Sequence, residues 1–134
     1  MRFLLDTNSC IIYLRGKNLA LKKRLEFYRE EVAVCSVVKA ELFYGSMKSA
    51  NPETNLSLQT EFLSQFISLP FDDVAANLFG IIRSQLESKG TPIGSYDLQI
   101  AAIALAHHLT LVTHNVREFS RVEGLQWEDW EAER

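Results

Sequence analysis

The chain has 134 residues, 47% of them hydrophobic and 23% charged, and a formal net charge of -3. This is the make-up of one globular domain, residues 1–134, long enough to bury a substantial core, and it carries no basic excess of the kind that marks many nucleic-acid binders. Two cysteines make no disulfide framework, and Asp6 interrupts the opening apolar run too early for a signal peptide, so a reducing, cytoplasmic setting is expected.

Phe3-Leu4-Leu5 reads as a short buried strand. Asp6, Thr7 or Asn8 then starts a helix that carries Cys10, Ile11, Ile12 and Leu14 and ends at Gly16. Leu19, Leu21, Leu25 and Tyr28 continue a second helical pattern among basic residues. Val32 to Val38 is the clearest strand, its β-branched and unbroken apolar character suiting burial on both faces. Ser36 or a neighbour caps the next helix, which carries Glu41, Leu42 and Tyr44 and stops near Gly45. Asn51-Pro52-Glu53 opens another helix, through Leu56, Phe62, Leu63 and Phe66.

Ile67 to Phe71 is a short strand, after which Asp72 or Asp73 caps a long helix that stops at Gly90. The turn Thr91-Pro92-Ile93-Gly94 leads into Ser95-Tyr96-Asp97 and an Ala-rich helix to His108, too short to span a bilayer. Thr110-Leu111-Val112-Thr113 is a further strand ending in His114 and Asn115, and Leu125-Gln126-Trp127 forms a last edge strand. Strands alternate with helices throughout, which predicts an α/β sandwich with a mainly parallel central sheet. Charge is unevenly spread: Arg15, Lys17, Lys22, Lys23 and Arg24 lie early, whereas Glu123, Glu128, Asp129, Glu131 and Glu133 load the C-terminus. This leaves room for a local basic surface on an acidic protein.

Several acids fall at equivalent places in this pattern. Asp6 ends the first strand, Glu41 lies in the helix after the second, and Asp97 sits in the first turn of the Ala-rich helix. Parallel strands bring such positions to one edge of the sheet, where ligands bind. Carboxylates gathered there repel one another unless something positive joins them, and a hard divalent cation such as Mg²⁺ or Mn²⁺ suits oxygen ligands. A metal held by few carboxylates is a hydrolytic device. Each acid also has a plainer reading: Asp6 as a helix cap, Glu41 as an acid paired with Lys39, Asp97 as a first-turn acid. His107 and His108 end a helix without zinc-ligand spacing and are read as structural.

The segments Leu5-Asp6-Thr7-Asn8, Lys39-Ala40-Glu41-Leu42, Pro92 to Asp97 and Val112-Thr113-His114-Asn115, in this order and spacing, resemble PIN-domain proteins. Within them the chain is most similar to VapC toxins of bacterial toxin–antitoxin pairs, from Asp6 to Trp130. The resemblance implies a PIN-like α/β fold and a Mg²⁺-dependent endoribonuclease, with Mn²⁺ as a substitute. Asp6 and Asp97 would be the metal carboxylates, Glu41 would complete the acidic centre, and Asn8 and Thr113 would support it through hydrogen bonds. Many PIN domains carry a further acid where this chain has Asn115, with Glu118 one turn on taking that place.

The C-terminal stretch from Arg117-Glu118-Phe119 to Trp127 is similar to the VapC group that cuts initiator tRNA in its anticodon loop. A VapB-type antitoxin partner, contact with DNA only through that antitoxin, no membrane association and a homodimer formed through the early helices also follow from the resemblance. Rival readings are a degenerate PIN-like binding module, which the missing acid at Asn115 keeps open, and a phosphatase- or receiver-type α/β domain. The phosphatase lacks its second acid at Asn8, and the receiver lacks a late-strand Lys.

Overall fold

Three apolar residues at the start of the chain form β1 (Phe3–Leu5), every one of them buried. In the computed structural model, which describes residues 1–132, this strand lies at the centre of a five-stranded, all-parallel sheet. Glu133, in the acidic C-terminal run, lies outside the described residues. The strand order is β3-β2-β1-β4-β5. Here β2 is Val32–Cys35, β3 Ile67–Leu69, β4 Thr110–Val112 and β5 Trp127–Glu128. The chain therefore builds outward from β1 on one side through β2 and β3, then returns to build β4 and β5 on the other. The reversal opens a crevice beyond the carboxyl ends of β1 and β4, where ligands settle in such sheets.

Helices cover the sheet. They are α1 (Thr7–Arg15), α2 (Leu19–Tyr28), α3 (Ser36–Met47), α4 (Pro52–Leu63), α5 (Asp73–Ser88), α6 (Ser95–Ala106) and α7 (Val116–Phe119). Most ends have visible chemical causes. Asp6, Asn18 and Asp72 cap α1, α2 and α5 by accepting the backbone N–H of Ser9, Leu21 and Ala75. Gly16 closes α1 in a left-handed conformation at φ 71°. The Ala-rich α6 buries Leu98 and every residue from Ile100 to Ala104, as expected of a helix apolar on all sides.

The predicted architecture is borne out, with local differences. The Val-rich strand ends three residues earlier than its composition suggests: Val37 and Val38 are buried residues of the first turn of α3. Cys35 is extended and Ser36 already helical, so tertiary packing overrides the β preference of the two valines. Helix α3 runs through Gly45 to Met47, because a helix tolerates one glycine at a cost of about 1 kcal/mol. Helix α6 stops at Ala106, before His108 turns into the left-handed region at φ 54°. The edge strand β5 is Trp127–Glu128 rather than Leu125 to Trp127, with Leu111 opposite Trp127 and Val112 opposite Glu128.

The C-terminal end of the described chain is anchored by Trp130, fully buried with its ring against Phe3 at 4.8 Å and Tyr28 at 5.5 Å. Its indole N–H donates to Glu128 Oε1 at 2.9 Å, so the polar atom is satisfied as well. Replacing a buried Trp with Ala removes this packing and leaves a cavity. Urea unfolding followed by circular dichroism should register Trp130→Ala as a loss of about 3–5 kcal/mol; a loss below about 1 kcal/mol would mean that this end of the chain does not hold the sheet together.

Candidate active site

Asp6 follows directly from β1, its backbone N–H continuing the ladder to the Val112 carbonyl at 3.1 Å. Its carboxylate is almost wholly buried and accepts the Ser9 N–H at 2.8 Å, which caps α1. The Thr113 hydroxyl, at the end of β4, also hydrogen-bonds Asp6 and in turn accepts the Asn115 N–H at 3.0 Å. The Ser9 hydroxyl lies beside the same carboxylate and donates to the Val112 carbonyl at 3.2 Å. Burial raises the pKa of Asp6, and these hydrogen bonds oppose the rise.

The other acids arrive from separate helices. Glu41, half-buried on α3, accepts a 2.6 Å hydrogen bond from the Thr7 hydroxyl at Oε1; Lys39 is not its partner. Asp97 lies in the first turn of α6. Glu118, in α7, lies beside Asp97 and accepts the Asn115 side-chain amide at 3.3 Å. Burial comes first, then Glu118, Glu41 and Asp6, in pushing the Asp97 carboxyl up to about 6. The sheet edge thus brings Asp6, Glu41, Asp97 and Glu118 together. None of the ion pairs among the described residues involves any of them. An oxygen-only cluster with no basic side chain paired to it fits a hard divalent cation.

Of the supporting residues, Thr113 and Asn115 sit inside this network. Asn8 does not join it: its side chain is exposed, makes no hydrogen bond among the described residues and lines a cavity with His114, Asn115 and Arg15. Sequence reasoning passed over Thr7 and Ser9. The clue was present, since hydroxyls flank an acid at a helix start, but such residues cap helices so often that nothing singled them out.

A second polar group was missed altogether. Among the described residues, the one trio of His, Cys, Asp or Glu donors within 4.8 Å of one another is His114, Asp129 and Glu131. His114 Nδ1 lies 3.0 Å from Asp129 Oδ2, and Asp129 Oδ1 accepts the Glu131 N–H at 3.0 Å. The hydrogen bond that Asp129 accepts, with Glu131 nearby, raises the pKa of His114. Fifteen residues separate His114 from Asp129, and only the parallel pairing of β4 with β5 joins them. No local pattern in the sequence encodes that.

A strand-end acid cluster on this sheet topology defines a PIN domain, and the PIN domain model matches residues 3–125. The chain belongs to that family. It is 40% identical over 130 residues to the tRNA(fMet)-specific endonuclease VapC of Salmonella typhimurium, covering 97% of this chain and 98% of that one. It is 38% identical over 133 residues to ribonuclease VapC2 of Rickettsia felis, covering 98% and 99%. The DNA-bound VapBC complex from Salmonella typhimurium matches the fold with a TM-score of 0.93 at 40% identity, over 97% of this chain and 98% of that chain. VapBC2 from Rickettsia felis, bound to a DNA fragment from its promoter, matches with a TM-score of 0.91 at 37% identity, over 97% and 99%. Within the PIN family, the chain is a VapC-type protein.

The raised Asp97 carboxyl has a consequence for stability. Between pH 3.8, the ordinary value, and about 6, the folded state binds the extra proton and the unfolded state does not. This stabilisation of the metal-free protein is therefore present at low pH and lost as pH rises through that window. Asp97→Asn removes the dependence. Allowing for the carboxylate's partial exposure, the variant should gain about 1 kcal/mol on the wild type between pH 4 and pH 7. Urea unfolding of both proteins across that range measures it; parallel pH profiles would show that Asp97 is not crowded by the other acids.

Proposed function

We propose that this protein is the toxin of a type II toxin–antitoxin pair, a Mg²⁺-dependent endoribonuclease acting on structured RNA, with initiator tRNA cut in its anticodon loop. The observation that carries the reading is the convergence of Asp6, Glu41, Asp97 and Glu118 from separate elements at the carboxyl end of the sheet. Relatives at 40% and 38% identity over nearly their whole length are named as a tRNA(fMet)-specific endonuclease and a ribonuclease, which supports both the activity and the substrate.

When bound, a divalent cation supplies positive charge for the phosphoryl oxygens and acidifies water. Asp6 and Asp97 are the residues that would hold it. Asp6 is oriented by Thr113 and Ser9, which fix its carboxylate while leaving it ionisable. Glu41, tied at Oε1 by Thr7, keeps a second oxygen available to take a proton from the attacking water. Glu118, held by the Asn115 amide, provides the fourth carboxylate from one turn beyond the strand end. That placement argues against a degenerate binding module, because Asn115 serves to orient an acid rather than replacing one.

Beside Glu41, a cavity of about 430 Å³ is lined by Ile11, Leu14, Leu42 and Leu58, with Arg15 at its rim. Such an apolar groove next to an acidic centre suits an extended VapB-type antitoxin segment that carries a basic side chain toward the acids. No described helix is long and apolar enough to cross a membrane, and a cytoplasmic toxin is the setting this reading requires. Leu19 and Phe27 stand exposed on α2 and offer apolar surface for a homodimer, with DNA reached only through the antitoxin.

Expressed alone, the protein should arrest growth, and its cognate antitoxin should relieve the arrest. With Mg²⁺ or Mn²⁺, purified protein should cut an initiator-tRNA anticodon stem-loop and leave a 5′-phosphate and a 3′-hydroxyl. Asp6→Asn still caps α1 and so should fold, yet it and Asp97→Asn should each lower cleavage by at least about 10²-fold. A 2′,3′-cyclic phosphate product would mean that the RNA's own 2′-hydroxyl attacks, and Asn variants with full activity would remove the acids from the chemistry.

A further inference from the structure

Four carboxylates at the cleavage site repel the phosphodiester backbone they are read as cutting, so the strand needs positive charge close by. The charge stands on one side of the cluster. A cavity of about 430 Å³ beside Asn115 is lined by Asn8, Ile11, Ile12, Arg15, His114 and Glu131. A second, of about 370 Å³, adjoins it through Ile12, Arg15 and Glu131 and adds Lys17 and Asn18. Arg15 also lines the cavity that contains Glu41. One exposed arginine therefore borders both the acids and the trough leading away from them.

The far wall of this trough is built. Asp129 takes His114 Nδ1, leaving Nε2 without a hydrogen bond among the described residues, and the Glu131 backbone is fixed by Asp129 on one side and by the Asn18 side chain at 3.5 Å on the other. Arg24 holds the Asp129 carbonyl at 2.9 Å. Asp129 thereby spends its carboxylate on orienting His114. On the near wall, Asn8 lies two residues beyond Asp6, its amide without a hydrogen bond among the described residues and able both to donate and to accept.

Resting on the endoribonuclease reading, we propose that the Asn8–Arg15–His114 trough is the binding subsite for the RNA nucleotide next to the scissile bond. Arg15 and His114 take its phosphate, and Asn8 contacts the sugar or the base edge. The volume falls within the range of about 300–1,000 Å³ usual for small-ligand sites. Lys17 continues the same path for the next phosphate along the strand. This explains how an acidic protein takes an RNA substrate: the basic charge is local and borders the acids.

Single-turnover cleavage of a fluorescein-labelled anticodon stem-loop of initiator tRNA, at increasing enzyme concentration, separates binding from chemistry. Arg15→Gln and His114→Asn should each raise the half-saturating enzyme concentration about 5- to 50-fold while the saturating rate stays within about 3-fold, and Arg15→Gln should reduce the salt slope of binding by about 1. Arg2→Gln, an equal loss of charge at the opposite end of β1, should change neither. Thermal melts establish that every variant is folded. If the wild type cleaves and Arg15→Gln and His114→Asn saturate like it, the subsite is wrong although the nuclease reading stands. A fall in the saturating rate alone would also overturn it, by moving these residues into the chemistry. If the variants keep RNA affinity but lose antitoxin affinity, the trough is a protein-binding surface and the proposal fails. A wild type that cleaves no RNA fails the nuclease reading itself.

Discussion

Asp6 is held in a conflict that organises everything around it. It is buried, which disfavours its charge, yet it caps α1 and sits among other acids, where only its ionised form binds a cation. The Ser9 amide and the Thr113 hydroxyl offset part of that cost. Thr113 is available because β4 runs parallel to β1 and ends beside it, with Leu5 opposite Val112. The sheet topology is therefore what makes the buried carboxylate tolerable, and the carboxylate is what puts acidic charge at the sheet edge.

The same economy extends outward from Asp6. Thr7, the next residue, leaves the cap and reaches Glu41 on α3. Asn115 is also used twice, its backbone N–H on Thr113 and its side chain on Glu118. Asp6, Glu41 and Glu118 are thus each oriented by a neutral hydroxyl or amide, and none of the four acids pairs with a lysine or arginine among the described residues. Neutral donors fix geometry without cancelling charge, so metal-free folding bears the repulsion among the acids. The basic groups stand one step away, in Arg15, Lys17 and His114, where they meet a polyanion without quenching the centre.

Much of this was legible in the sequence because local rules and the global fold agree. Phe3 to Leu5 is too short and too apolar to be anything but a buried strand, and capping residues follow at once. Asp72 and Gly16 mark helix ends by ordinary chemistry. Alternating elements imply parallel strands, and parallel strands put Asp6, Glu41 and Asp97 on one edge. Legibility failed where tertiary packing decides. Val37 and Val38 carry strand composition into a helix because the core needs apolar groups at that first turn. The four-residue α7 is too short for any periodicity to reveal, yet it sets where Glu118 points. The pairing of His114 with Asp129 depends on the register of β4 with β5, and Asn8 stands exposed on the first turn of α1.

The central claim is that these acids share one crowded, uncompensated site. The direct measurement is a pH titration of the Asp97 side-chain carboxyl carbon by NMR, with and without Mg²⁺. Metal-free protein should give a midpoint near 6, shifted up by burial and by Glu118, Glu41 and Asp6. Added Mg²⁺ should move that midpoint well below its metal-free position, because a cation among the carboxylates favours the ionised form. A midpoint at the ordinary 3.8, unmoved by Mg²⁺, would contradict the account.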